Sequence, residues 1–234
     1  MQKTPVKFQN LMSRREAGFL LAYLPIHAVL LPLLIVEYAS SMESTLSPVF
    51  AETLYFTVGF VVIVFFLRGF LRRSFDAFLD NIPNGIGILF LAMMIFLVLS
   101  QLEAIPVLML GGDRIPLEDL GLSSITQMEA RLFIILGFGV MPVVKETLFR
   151  GLVFGSLKSK NTALAYIAST AVYVLCGMWQ ALFLNLPAGH ITIIVLSYIP
   201  EAVALAWCYD RSGNIWTPII LSALMNAVTL IPFL

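Results

Sequence analysis

Lys145-Glu146-Thr147-Leu148-Phe149-Arg150-Gly151 places three ionisable side chains inside a long apolar run. Charge in hydrocarbon is costly and tends to mark function, so the reading of this stretch depends on whether its surroundings are lipid. The composition says that they are: 59% of the 234 residues are hydrophobic, 12% are charged, and mean hydropathy is +0.94. Fourteen basic residues balance fourteen acidic ones, which removes the basic excess expected of a nucleic-acid partner and the acidic excess of a disordered tail. Lipid is the expected partner. The fold class expected is all-α, a polytopic bundle.

Working outward from this stretch, runs of roughly 20 apolar residues match a hydrocarbon core of about 30 Å. Seven such spans are expected near 17–37, 50–67, 84–101, 132–155, 162–181, 191–209 and 214–233. Pro25, Pro32 and Pro142 interrupt them, a break that membrane helices tolerate when neighbours satisfy the freed carbonyls. The first span follows Arg14 and Arg15 but lacks a small-residue cleavage site, so it is read as retained. Lys3, Lys7, Arg14, Arg15, Arg68, Arg72, Arg73, Lys158, Lys160 and Arg211 fall on one side of a seven-span layout, which makes that side and the N-terminus cytoplasmic. Two pieces are left as non-spanning: Ser74–Pro83, expected in the interface, and Ile105–Ala130, an acidic outer loop. No internal repeat is found. The expected organisation is one compact bundle, with residues 1–129 forming N-terminal helices and residues 130–234 a four-helix core.

Glu146 and Arg150 are four residues apart, hence on one helix face with the acid first, the favourable order for pairing. Counted from Lys158 at 1.5 Å per residue, Lys145 lies roughly 20 Å and Arg150 roughly 12 Å from the cytoplasmic boundary, too deep to snorkel. Ser222 and Asn226 repeat the four-residue spacing on the last span at matching depth, roughly 16 to 22 Å from Arg211. By themselves these pairs read equally as a structural ion pair and as interhelical hydrogen-bond glue. Glu201, roughly 15 Å deep, adds a fourth buried charge. The expectation drawn is that Glu146 and Glu201 neutralise Lys145 and Arg150.

Together with Tyr209-Asp210-Arg211-Ser212-Gly213-Asn214-Ile215-Trp216-Thr217-Pro218-Ile219, which leads into Ser222 and Asn226, the Lys145–Gly151 stretch resembles the CAAX protease and bacteriocin-processing family. That family, also called Abi or type II CAAX prenyl endopeptidase, comprises intramembrane glutamate-type proteases with motifs EExxxR, FxxxH and HxxxN. The resemblance covers about residues 130–230. It implies that Glu146 and Arg150 hold the second glutamate and the arginine, and that Asn226 holds the asparagine associated with oxyanion stabilisation. It also implies that Lys145 replaces the water-activating glutamate and Ser222 the histidine of the third motif. For the middle motif two registers stay open: Tyr173 with Gly177, or Cys176 with Gln180. Neither supplies a histidine, and the chain's two, His27 and His190, fall on the first span and on an expected outer loop.

A hydrolytic site needs a tunable base and donors aimed at the oxyanion, and glycine offers neither. The resemblance therefore implies a degenerate member: a pseudoprotease that binds a peptide or lipidated polypeptide in an intramembrane cavity formed among the last four helices. The alternatives are an active endopeptidase with a rearranged site, using Lys145 as base or Ser222 with Lys145 as a dyad, and a small transporter. Zinc wants three or four His, Cys or carboxylate ligands, so neither a metal nor a cofactor is expected. Cys176 and Cys208 lie in apolar runs and are expected in the core. The family and the absence of a targeting signal imply a bacterial-type plasma membrane.

Overall fold

A computed structural model describes residues 8, 10–41, 47–109, 127–178 and 188–230, and seven helical units account for nearly all of them. Helix α1 runs through Arg14–Pro25, a π-helical turn Ile26–Leu30 and Leu31–Ser41. Its start is fixed by a capping box in which Ser13 and Glu16 satisfy each other's backbone N–H. Helix α2 is Pro48–Leu79, with Ser47 as its cap and proline in its first turn, where no N–H is missed. Helix α3 is Ile82–Met109. Helix α4, residues 127–158, is composite: Gln127–Ile135, a π turn Leu136–Val140, Met141–Glu146, a longer π segment Thr147–Phe154, and Gly155–Lys158. Helices α5, α6 and α7 are Thr162–Gly177, Ala188–Ser212 and Trp216–Leu230.

Five of these units are long and apolar enough to cross a membrane, and α5 and α7 are shorter apolar helices. Leu21, Phe65, Phe90 and Ile167 are more than half exposed on the bundle's exterior, a pattern that suits contact with hydrocarbon and not with water. The molecule is an integral, multi-pass, all-helical membrane protein.

Helix α4 is the most buried of the long helices, wrapped by α1, α2, α5, α6 and α7, while α3 packs chiefly on α6. The π turns explain how it fits there. The Met141 N–H bonds to the Leu136 carbonyl five residues back, so the next carbonyl, that of Gly137, would need the N–H of residue 142, which is proline. The same geometry recurs in α1, where Leu31 N–H bonds to Ile26 and Pro32 follows. Each proline thus leaves one carbonyl open, that of Gly137 in α4 and that of His27 in α1.

Three expectations are corrected by the fold. Residues 74–79 are not a separate interfacial piece: α2 continues through them past a kink at Leu67 (φ −115°, ψ 15°), and α3 begins at Ile82. The reason is tertiary, since Ser74 Oγ accepts the Ile215 N–H at 2.6 Å and Trp216 Nε1 donates to the Leu71 carbonyl at 2.9 Å, tying this end of α2 to the start of α7. His190 lies in the first turn of α6 and not in a loop. The proposed outer segment 105–130 is helical at both ends, within α3 and α4, and its residues 110–126 lie outside the described residues.

Candidate functional site

The ion pair read from the four-residue spacing is present. Arg150 Nη1 donates to Glu146 Oε1 at 3.1 Å, and both side chains are fully buried. The second guanidinium nitrogen, Nη2, donates to the Ala202 carbonyl on α6 at 3.0 Å, and the guanidinium sits 4.3 Å from the centre of the Tyr173 ring on α5. Arg150 therefore joins three helices. Such a burial is tolerable only because charge, hydrogen bonds and a ring face compensate for lost hydration. The compensation is incomplete, for Glu146 Oε2, Arg150 Nε, Tyr173 OH and Thr147 Oγ1 are buried without hydrogen-bond partners.

Glu201 does not take the neutralising role expected of it. It lies within electrostatic range of Glu146 and Tyr173, yet its Oε1 is buried without a hydrogen bond, and the guanidinium spends its second donor on Ala202 instead. A backbone carbonyl on the same helix outcompetes the acid by position. Lys145, adjacent to Glu146 in sequence, points elsewhere. Its ammonium lies 5.5 Å from the Tyr173 ring centre and 5.7 Å from that of Phe56 on α2, with no ion pair among the described residues.

The two positions on α7 are brought beside α4. Asn226 Nδ2 donates to the Gly137 carbonyl at 2.7 Å, the carbonyl that Pro142 leaves open. Ser222 is fully buried and its Oγ has no partner. Of the two middle-motif registers, Gly177 and Tyr173 face α4 and α6, and Cys176 is buried beside them. Gln180 lies outside the described residues.

Gly177 is where the site departs furthest from a hydrolytic arrangement. Tyr198 on α6 lays its ring against the glycine and donates its hydroxyl to the Gly177 carbonyl at 3.0 Å. A Cβ built on Gly177 would meet Tyr198 Cε1 at 2.8 Å, so the volume that any side chain would occupy there is taken by the tyrosine.

A cleft with room for about one water molecule lies between the N-terminal helices and the core. It is lined by His27 of α1, by Tyr55 and Phe56 of α2, by Lys145 and Phe149 of α4, and by Cys176 and Gly177 of α5. The expectation of a cavity formed among the last four helices is corrected accordingly: α1 and α2 supply one wall. Gly59 makes the approach possible, since a Cβ there would strike His27 Cε1 at 2.8 Å and Val144 Cγ1 at 3.0 Å. His27 is buried, shares a hydrogen bond at 3.2 Å with Tyr23 OH and stacks on Tyr55.

Glu52, one helical turn before Tyr55 and Phe56, is the residue the sequence reading missed. Its Oε2 is buried without a hydrogen bond, and its carboxylate lies within electrostatic range of Lys145 and of Tyr198. An acid inside an apolar helix was the available signal, masked by its nearness to the helix start at Ser47-Pro48.

Among the described residues no group of three His, Cys, Asp or Glu side chains is placed to hold a metal ion. What the arrangement does present is a dry ionic cluster, a plugged glycine and a narrow cleft with unpaired polar groups at its edge.

Comparison with known proteins places these observations. No curated protein and no solved structure matches the chain. Residues 127–228, from the start of α4 into α7, match the family model described as type II CAAX prenyl endopeptidase Rce1-like. Through this segment, which carries Glu146, Arg150, Gly177, Ser222 and Asn226, the chain belongs to the CAAX protease family.

Proposed function

We propose that this membrane protein of the CAAX protease family is a pseudoprotease, which binds a peptide or lipidated polypeptide segment at the cleft without hydrolysing it. The observation that carries the reading is Tyr198 seated on Gly177: the position that the family gives to a histidine has neither a side chain nor space for one. Two further contacts support it. The Asn226 amide is engaged on Gly137, so it is not free to meet a developing oxyanion, and Lys145 is held between ring faces as a cation, not as a base. Glu146 and Arg150 then serve as the structural centre of α4, α5 and α6, and Ser222 remains a buried hydroxyl.

A second reading, an active endopeptidase with a rearranged site, is favoured by one observation: the cleft brings His27 and Lys145 together around space for about one water. In either reading the N-terminal and C-terminal helices act as one unit, the N-terminus is cytoplasmic and the host membrane is a plasma membrane.

The test is peptide cleavage and peptide binding by the full chain in nanodiscs, using prenylated and plain peptides. Binding of one class without cleavage is expected. Cleavage that disappears in Glu146→Ala or Asn226→Ala would overturn the pseudoprotease reading, whereas cleavage that disappears only in His27→Ala or Lys145→Ala would establish the rearranged site.

A further inference from the structure

The Lys145 ammonium and the Glu52 carboxylate are an ion pair that does not close. They lie within electrostatic range of each other across the boundary between α4 and α2, yet no salt bridge joins them. Lys145 has aromatic faces as neighbours, which answer its charge but accept none of its N–H groups through a lone pair. Glu52 keeps one oxygen buried and without a donor. Between these elements lies the cleft, on the same α2 face as Glu52, with Tyr55 and Phe56 one turn further along. A donor and an acceptor held apart in a narrow apolar slot are complementary to a group that is itself an acceptor on one side and a donor on the other.

We infer that the Glu52–Lys145 gap is a binding site for one amide group, its C=O toward Lys145 Nζ and its N–H toward the Glu52 carboxylate. The inference takes from the proposed function only the identity of the natural ligand as a peptide, and it adds a residue outside the 127–228 segment. The flat walls fit the group: Phe56, Tyr55 and Phe149 border a slot with space for a planar polar unit's leading atom. An ester lacks the N–H and would leave Glu52 unanswered. A carboxylate would place a second negative charge beside it. The amide is the neutral group that satisfies both ends, and charge-assisted hydrogen bonds to both partners give it the advantage.

Cys176 lines the cleft and supplies a reporter. In full-length protein carrying Cys208→Ala, in nanodiscs, the rate of Cys176 modification by a small methanethiosulfonate reagent is measured with N-methylacetamide or with methyl acetate. The amide is expected to slow modification, about twofold when its concentration equals its Kd, and the ester is not. Equal protection by both, or protection by neither, overturns the inference, and this comparison needs no substitution at Glu52. With any peptide that binds, ester-for-amide replacement at successive positions is expected to weaken binding about tenfold at one position in the unsubstituted protein and not in Glu52→Leu. Peptide binding without such a Glu52-dependent position overturns the amide site while leaving the peptide-binding reading intact. Selective protection by the amide with no peptide bound from a broad library does the reverse.

Discussion

Gly177→Ala isolates the role of Tyr198 with a single methyl group. The new Cβ would stand 2.8, 3.0 and 3.2 Å from Tyr198 Cε1, Cζ and Cδ1, closer than carbon atoms pack, and the obstacle is a rigid ring, not the end of a flexible chain. Relief requires the ring to move, and moving it lengthens the 3.0 Å hydrogen bond from Tyr198 OH to the Gly177 carbonyl. Overpacking of this kind costs about 1–3 kcal/mol and the lost hydrogen bond about 1 kcal/mol, so the substitution is expected to destabilise by about 2–4 kcal/mol. The assay is reversible unfolding in mixed micelles, performed as a double-mutant cycle. Tyr198→Ala carries its own cost, but Gly177→Ala added to it should cost less than about 1 kcal/mol, because the obstacle has gone. An equal cost of Gly177→Ala in both backgrounds would refute the reasoning, as would a negligible cost in the unsubstituted protein. The same geometry sets a condition on restoring a family-like site: Gly177→His should fold only when Tyr198 is made small.

Three further outcomes are expected. Arg150→Met should destabilise by about 3–5 kcal/mol because it leaves Glu146 buried and alone, and adding Glu146→Gln should recover part of that loss in the same unfolding assay. Asn226→Leu should cost about 1–3 kcal/mol by orphaning the Gly137 carbonyl, and much less when combined with Pro142→Ala, which restores a backbone N–H to α4. Ser74→Ala should cost about 1 kcal/mol and loosen the α2–α7 junction, read as faster amide hydrogen exchange at Ile215.

The apolar runs carried the helical architecture because in lipid the backbone has few other ways to satisfy itself, and the Glu146–Arg150 pair was legible because four residues along a helix fixes a shared face. What escaped was tertiary. Nothing local separates Ser74–Leu79 from an interfacial segment; the difference is made by Ile215 and Trp216, more than a hundred residues away. Glu201 was assigned a guanidinium that the Ala202 carbonyl reaches instead, a competition decided by the rotation of α6. Glu52 looked like a helix-end acid until α2 packed beside Lys145. Tyr198 gave no signal at all, since a tyrosine in an apolar helix is unremarkable until the glycine it covers is known. His190 was placed in a loop because its Pro187-Ala188-Gly189 approach reads as a turn, whereas α6 begins at Ala188.

The hydrogen bond from Asn226 to Gly137 also orders events in time. Ribosomes deliver α4 well before α7, so during synthesis the carbonyl beside Pro142 enters the bilayer without its donor. Until the last helix arrives, the most buried helix of the bundle carries an open defect, a natural point of hold for insertion machinery and of attack for quality-control proteases. Completion of the seventh helix is then the step that commits the nascent chain to its final shape.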